Sequence, residues 1–155
     1  MQEMVYRSGA SGCSRFLWMW LDPAMSRTSD VAKWLKFHTS APVVSDPSIC
    51  RFALIGDAQN LPALNRFAFG SNEYPDRSTT LILQVPSLTQ GATFDLRGPG
   101  IDGTMVLQAK IEPVDLFERL AINATLFPRG IDVVLIHDDA IVAIPRTTRL
   151  VTKGD

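Results

Sequence analysis

Four arginines of this 155-residue chain occupy positions where an anion could be held. Arg77 follows Tyr74-Pro75-Asp76, Arg97 precedes Gly98-Pro99-Gly100, Arg129 lies between Pro128 and Gly130, and Arg146 follows Pro145. All four fall in loops or at element ends, where binding residues concentrate. A guanidinium presents a planar fork of donors that matches the oxygens of a phosphate or phosphonate. Arg146 is the leading candidate, because Pro145 fixes the backbone before it and two hydroxyls, Thr147 and Thr148, come after it. The candidate substrate-binding set is Arg146, Thr147, Arg129, Arg77 and Arg97. For each arginine, a surface ion pair is the competing role.

Other chemistries find less support. His137 beside Asp138 and Asp139 could act as a general base, but acidic neighbours of this kind also suit a solvated turn. Gly98-Pro99-Gly100 suits a tight turn better than a phosphate cradle, because proline removes a backbone donor. No Gly-x-Ser-x-Gly elbow and no P-loop is present,. Cys13, Cys50, His38 and His137 are zinc-ligand types without zinc-motif spacing, so no metal is expected. A pyridoxal phosphate enzyme needs a Schiff-base lysine. Lys33 and Lys36 fall on an expected helix, Lys153 near the end, and Lys110 in surroundings unlike a cofactor site. No cofactor and no catalytic residue is therefore assigned.

These residues are positioned by alternating strands and helices. Phe16–Leu21 and Arg51–Gly56 read as strands. The continuous apolar stretch Thr80–Val85 suits a strand covered on both faces. Thr93–Arg97 alternates in the half-buried pattern and ends at Gly98. One helix is expected from Ser29 or Asp30 to His38, with Val31, Trp34, Leu35 and His38 on one face. A second is expected over 58–69, capped by Asp57 and stopped by Gly70, with Pro62 as an alternative first residue. A third runs from Pro113 to about Thr125, with Val114, Phe117, Leu120, Ala121 and Ala124 on one face. Ile131–His137 and Ala140–Pro145 form a hairpin around Asp138-Asp139, and Pro145 belongs where the strand leaves its ladder. The pattern is α/β: one domain over 16–150 with a mixed sheet flanked by helices, after a frayed, Ser/Gly-rich 1–15.

A net charge of −1 lacks the basic excess that general nucleic-acid or anionic-membrane binding requires. Phe16–Leu21 is too short for a secretory h-region, and nothing approaches the ~20 apolar residues of a membrane span. Two isolated cysteines fit reduced thiols in the cytoplasm.

Six segments, in order, carry a family resemblance: Trp20-Leu21-Asp22-Pro23-Ala24, Leu35–Pro42, Tyr74–Val85, Leu96–Ile101, Phe127–Asp132 and Ala143–Thr148. Together they resemble the H-subunit family of the bacterial carbon–phosphorus lyase core complex, which breaks down phosphonates. The chain is shorter than family members before Trp20. The resemblance implies a fold like the large domain of pyridoxal phosphate-dependent transferases without the cofactor site. It implies a homodimer that joins subunits G, I and J. The complex would transfer an alkylphosphonate to C1 of the ribose of ATP with release of adenine. Bond cleavage would belong to another subunit with an iron–sulfur cluster, for which this chain lacks the clustered cysteines.

Overall fold

The computed structural model describes residues 17–27, 29–111 and 115–152. Its elements in chain order are β1 (Met19–Leu21), α1 (Pro23–Arg27), α2 (Ser29–Thr39), β2 (Val43–Val44), β3 (Phe52–Ile55), β4 (Thr80–Gln84), β5 (Ser87–Arg97), β6 (Met105–Lys110), α3 (Leu116–Ala124), β7 (Asp132–His137), β8 (Ala140–Ile144) and β9 (Arg149–Thr152). The expected frayed stretch, Cys13, Pro113, Val114 and Lys153 lie outside the described residues.

Two sheets form. The larger has six strands in the order β2-β1-β3-β4-β7-β8. Its first five strands are parallel, and β8 returns antiparallel to β7. The smaller is antiparallel, in the order β6-β5-β9. The α/β class and the mixed sheet agree with the sequence reading. The flanking is different: one cover of the large sheet is the small sheet together with α3, not helices alone.

The core lies between the two sheets. Trp20, Ala53, Ile55, Leu81, Leu83, Val133 and Leu135 alternate onto one face of the large sheet, and all are buried. Phe94, Leu96 and Leu107 of the small sheet and Leu116 and Leu120 of α3 join the same cluster. Phe94 stacks on Phe117 at 3.7 Å between ring centroids, tying β5 to α3. Trp20 meets Phe67 edge-on at 5.7 Å. The other face is only half covered: along β4, Leu81 and Leu83 are 0% exposed while Thr80 and Ile82 remain half-buried. The expectation that this strand is covered on both faces is not met by the described residues.

The helix expected over 58–69 does not form. Two 3-10 turns replace it, Ala58–Asn60 and Leu64–Arg66. Pro62 is the reason, because the residue before a proline is pushed to extended geometry; Leu61 has ψ 117. Asp57 still caps, accepting from Gln59 N at 3.1 Å, but it caps a single turn. Ala58, Leu61, Leu64 and Phe67 enter the core without helical periodicity.

On α2, only Leu35 of the expected face is fully buried; Trp34 is 60% exposed and His38 is exposed. β5 begins six residues earlier than expected, at Ser87. β6 and β9 were not expected at all. The hairpin is as read: His137 pairs with Ala140 around Asp138-Asp139, and Asp138 adopts φ 51, which Asp tolerates better than most residues,. Pro145 follows β8 and is exposed.

Candidate functional site

Arg146 lies at one corner, where the parallel strands begin, and bonds to backbone close to Arg77 and Arg129 in the chain. Asp132 opens β7, Ser78 precedes β4, and Arg146 follows β8. The Arg146 guanidinium donates from Nε to Asp132 Oδ1 at 3.1 Å and from Nη2 to Asp132 Oδ2 at 2.5 Å and Ser78 Oγ at 2.6 Å. Nη1 donates to the carbonyls of Pro75 at 2.9 Å and Pro128 at 3.3 Å. All five N–H groups that a guanidinium offers therefore have acceptors inside the chain. The backbone N–H of Arg146 also donates to Asp132 Oδ1, at 2.8 Å.

Arg146 thus fastens three segments: the turn at Pro75–Arg77, the Phe127-Pro128 turn with its cis peptide, and the start of β7. Binding an external anion through its guanidinium would require giving up these partners. Burial raises the Asp132 pKa, but the side-chain and backbone hydrogen bonds from Arg146 and its charge outweigh it. The carboxyl is held below its ordinary value.

The other candidates are no part of this clamp. Arg77 is exposed and lies over the Tyr74 ring at 4.0 Å. Arg129 is exposed beside Pro128. Arg97 is exposed and donates from Nε to Thr104 Oγ1 at 3.1 Å. Gly98 packs against the next turn, where an added Cβ would stand 3.2 Å from Thr148 Cα and 3.3 Å from the Thr147 carbonyl. Thr147 is half-buried and Thr148 buried.

Three structural residues escaped the sequence reading. Asn123 on α3 grips Ile131 from both sides: Nδ2 donates to Ile131 O at 2.9 Å, and Oδ1 accepts from Ile131 N at 2.8 Å. Gly130 next to it has φ 137, and a Cβ there would approach Asn123 Oδ1 to 3.1 Å and Arg146 Cβ to 3.3 Å; only glycine passes between them without strain.

Asp22 is fully buried. Its Oδ1 accepts from Met25 N at 2.7 Å, and its Oδ2 accepts from Gly56 N at 2.8 Å and Asp57 N at 3.0 Å. It lies between the C-terminal ends of β1 and β3, where the strand order reverses, with β2 on one side of β1 and β3 on the other. Open α/β sheets commonly bind ligands at such a crevice. Here the chain's own carboxylate takes the N–H groups an anion would use. Asp before Pro23 at a strand end carries the N-cap signal that could have identified Asp22.

Ser78 is the third. It is 7% exposed and receives the Arg146 fork. A serine in a loop gives no sequence signal for that.

Elsewhere, His137 Nδ1 is 3.1 Å from Val85 O, and Nε2 is 3.5 Å from Asp138 Oδ2. Burial pushes the Cys50 thiol up to about 11, and its Sγ donates to Pro47 O at 3.2 Å. That thiol is core, not nucleophile. An apolar groove of about 400 Å³ lies between Ala63–Asn65, Phe69 and α3. A smaller cavity of about 220 Å³ lies at the C-terminal ends of β3 and β4. Among the described residues, no three His, Cys, Asp or Glu side chains gather as a metal site. No described helix is long and apolar enough to cross a membrane.

Residues 15–151 match the bacterial phosphonate metabolism protein (PhnH) family. The chain belongs to the PhnH family. Among similar proteins is the alpha-D-ribose 1-methylphosphonate 5-triphosphate synthase subunit PhnH of Rhizobium meliloti (strain 1021), 42% identical over 132 residues. Another is HtxG of Stutzerimonas stutzeri, named as a C–P lyase subunit protein, 31% identical over 134 residues. The alignments span 85% and 86% of this chain but 66% and 65% of those relatives, so the chain covers just under two thirds of their length. The PhnH match takes in all six resembling segments and every predicted site residue.

Proposed function

We propose that this chain serves phosphonate breakdown as a subunit of a carbon–phosphorus lyase assembly, supporting the transfer of an alkylphosphonate to C1 of the ribose of ATP with release of adenine. Its role is structural, in assembly, rather than catalytic. The observation that carries this is Arg146: the residue best suited by type to hold a phosphonate spends every donor on the fold. At the strand-order reversal the Asp22 carboxylate accepts three backbone N–H groups that a nucleotide phosphate would otherwise use. The partners are subunits G, I and J in the cytoplasm, with a second copy of this chain forming a homodimer. The fold is related to the large domain of pyridoxal phosphate-dependent transferases without the cofactor; the mostly parallel sheet with one antiparallel edge strand supports that kinship. The test is co-purification with G, I and J, and a chain left alone while those three assemble refutes the proposal.

A second reading has one observation in its favour: Arg77 and Arg129 are exposed, next to the two turns that Arg146 Nη1 fastens. They would bind ATP or an alkylphosphonate directly, with Arg97 and Thr147 beside them. Calorimetry with ATP or methylphosphonate tests it. Absence of binding heat, or an unchanged affinity in Arg77→Ala with Arg129→Ala, eliminates this reading.

A further inference from the structure

The small sheet carries a row of polar side chains on its outer face. Leu96 and Leu150 pair across β5 and β9 and turn toward the core, so Arg97 and Arg149, the next pair, turn outward,. On the other side of β5, Leu96 pairs with Met105 of β6, which brings Thr104 opposite Arg97. Arg97 Nε donates to Thr104 Oγ1 at 3.1 Å. The row thus reads Thr104, Arg97, Arg149, and all three residues are exposed. Its two arginines are held in place from behind. Gly98, which follows Arg97, packs so tightly on Thr148, which precedes Arg149, that an added Cβ would stand 3.2 Å from Thr148 Cα.

Like charges directly opposite each other on adjacent strands destabilise a sheet. Among the described residues, neither Arg97 nor Arg149 forms an ion pair. The next carboxylate along this face is Asp95, one row further on, between Val106 and Val151. It bonds to neither arginine. Arg97 keeps both Nη groups, and Arg149 its whole guanidinium, without an acceptor among the described residues.

We propose that Thr104, Arg97 and Arg149 bind a tetrahedral oxydianion, the single head of a small phosphate monoester or phosphonate. Strands about 4.8 Å apart let two guanidiniums converge on one such anion, and each fork matches a pair of its oxygens. Thr104 Oγ1 accepts the Arg97 Nε proton and donates its own hydrogen to a further oxygen. The bound dianion cancels the repulsion between the two arginines. Asp95 in the next row opposes a second anionic group. Val106 and Val151 on either side of it are 59% and 53% exposed, and they offer a short apolar body a place to lie. A triphosphate does not suit that row. The inference rests on neither reading above, because it uses neither Arg77 nor Arg129 and needs no partner subunit.

The test is titration calorimetry on the full chain with ethyl phosphate, ethylphosphonate and ATP, at constant ionic strength balanced with chloride. Heat is expected with at least one of the two ethyl compounds, and the ratio of their affinities tells a phosphate ester from a phosphonate. ATP should bind more weakly than either. Arg97→Ala and Arg149→Ala should each weaken binding by about tenfold or more. Asp95→Asn should tighten it, and Lys36→Ala, on the exposed surface of α2, should leave it unchanged. Without ligand, Arg149→Ala should melt no lower than wild type, and Arg149→Gln repeats the comparison with a longer side chain. No heat with either ethyl compound overturns the proposal. So do an unchanged affinity in Arg149→Ala and Arg149→Gln, or an equal loss in Lys36→Ala. Binding lost in Arg77→Ala with Arg129→Ala but kept in Arg149→Ala belongs to the second reading above and overturns this one.

Discussion

Arg146 and Asp132 contact each other three times across the base of the β7–β8 hairpin. One carboxylate oxygen accepts both the backbone N–H and Nε of Arg146, and the other accepts Nη2. The Arg146 side chain is 13% exposed and that of Asp132 34%. The pair is dry on one side and wet on the other, so it is worth more than a surface ion pair and less than a fully buried one.

Arg146→Lys should therefore destabilise the chain. A lysine has three donors on one atom and cannot reach five acceptors in a plane. The loss should be about 2–3 kcal/mol, since the part-buried acceptors at Pro75, Pro128 and Ser78 lose their partners,. For a chain of this size, that corresponds to a thermal midpoint lower by about 4–12 °C. A calorimetric scan of the two proteins checks it, and coincident midpoints would refute the clamp.

The same pair fixes an acid dependence. The Asp132 pKa is below the ordinary value of 3.8 in the folded chain. A depressed carboxylate stabilises the fold above its unfolded pKa, and that contribution is lost as pH falls through the folded value. Stability should thus decline below about pH 4. Asp132→Asn should flatten that decline while lowering stability at neutral pH. Urea midpoints between pH 3 and pH 7 read the difference; parallel curves for the two proteins would contradict it.

Asn123→Ala removes both bonds to Ile131 and leaves a buried N–H and C=O without their partners. The expected cost is about 2–4 kcal/mol, measured by chemical denaturation.

Much of this fold was legible in sequence. Thr80–Gln84 and the Asp132–Ile144 hairpin announce themselves by short apolar runs bounded by turn residues, and both strands and turn stand where the pattern puts them. The helix over 58–69 misled because Asp57 and Gly70 look like its two ends, while Pro62 breaks its backbone. β6 and β9 were invisible for a different reason. Met105, Val106 and Val151 are apolar but exposed, so the alternation that signals a half-buried strand is blurred. At the site, residue type and loop position singled out Arg77, Arg97, Arg129, Arg146 and Thr147, of which Arg146 proves to be a clamp within the fold. What type alone could not reveal is that Asp132, 14 positions before Arg146 in the chain, would claim its guanidinium.

The most direct measurement is light scattering on a chromatographically separated complex after co-expression of this chain with subunits G, I and J. The expected result is a single species whose mass includes this chain in fixed ratio to the other three, with Arg77→Ala and Arg129→Ala variants incorporated as well as wild type. A G–I–J species that elutes without this chain, which itself runs separately, would contradict the assembly role.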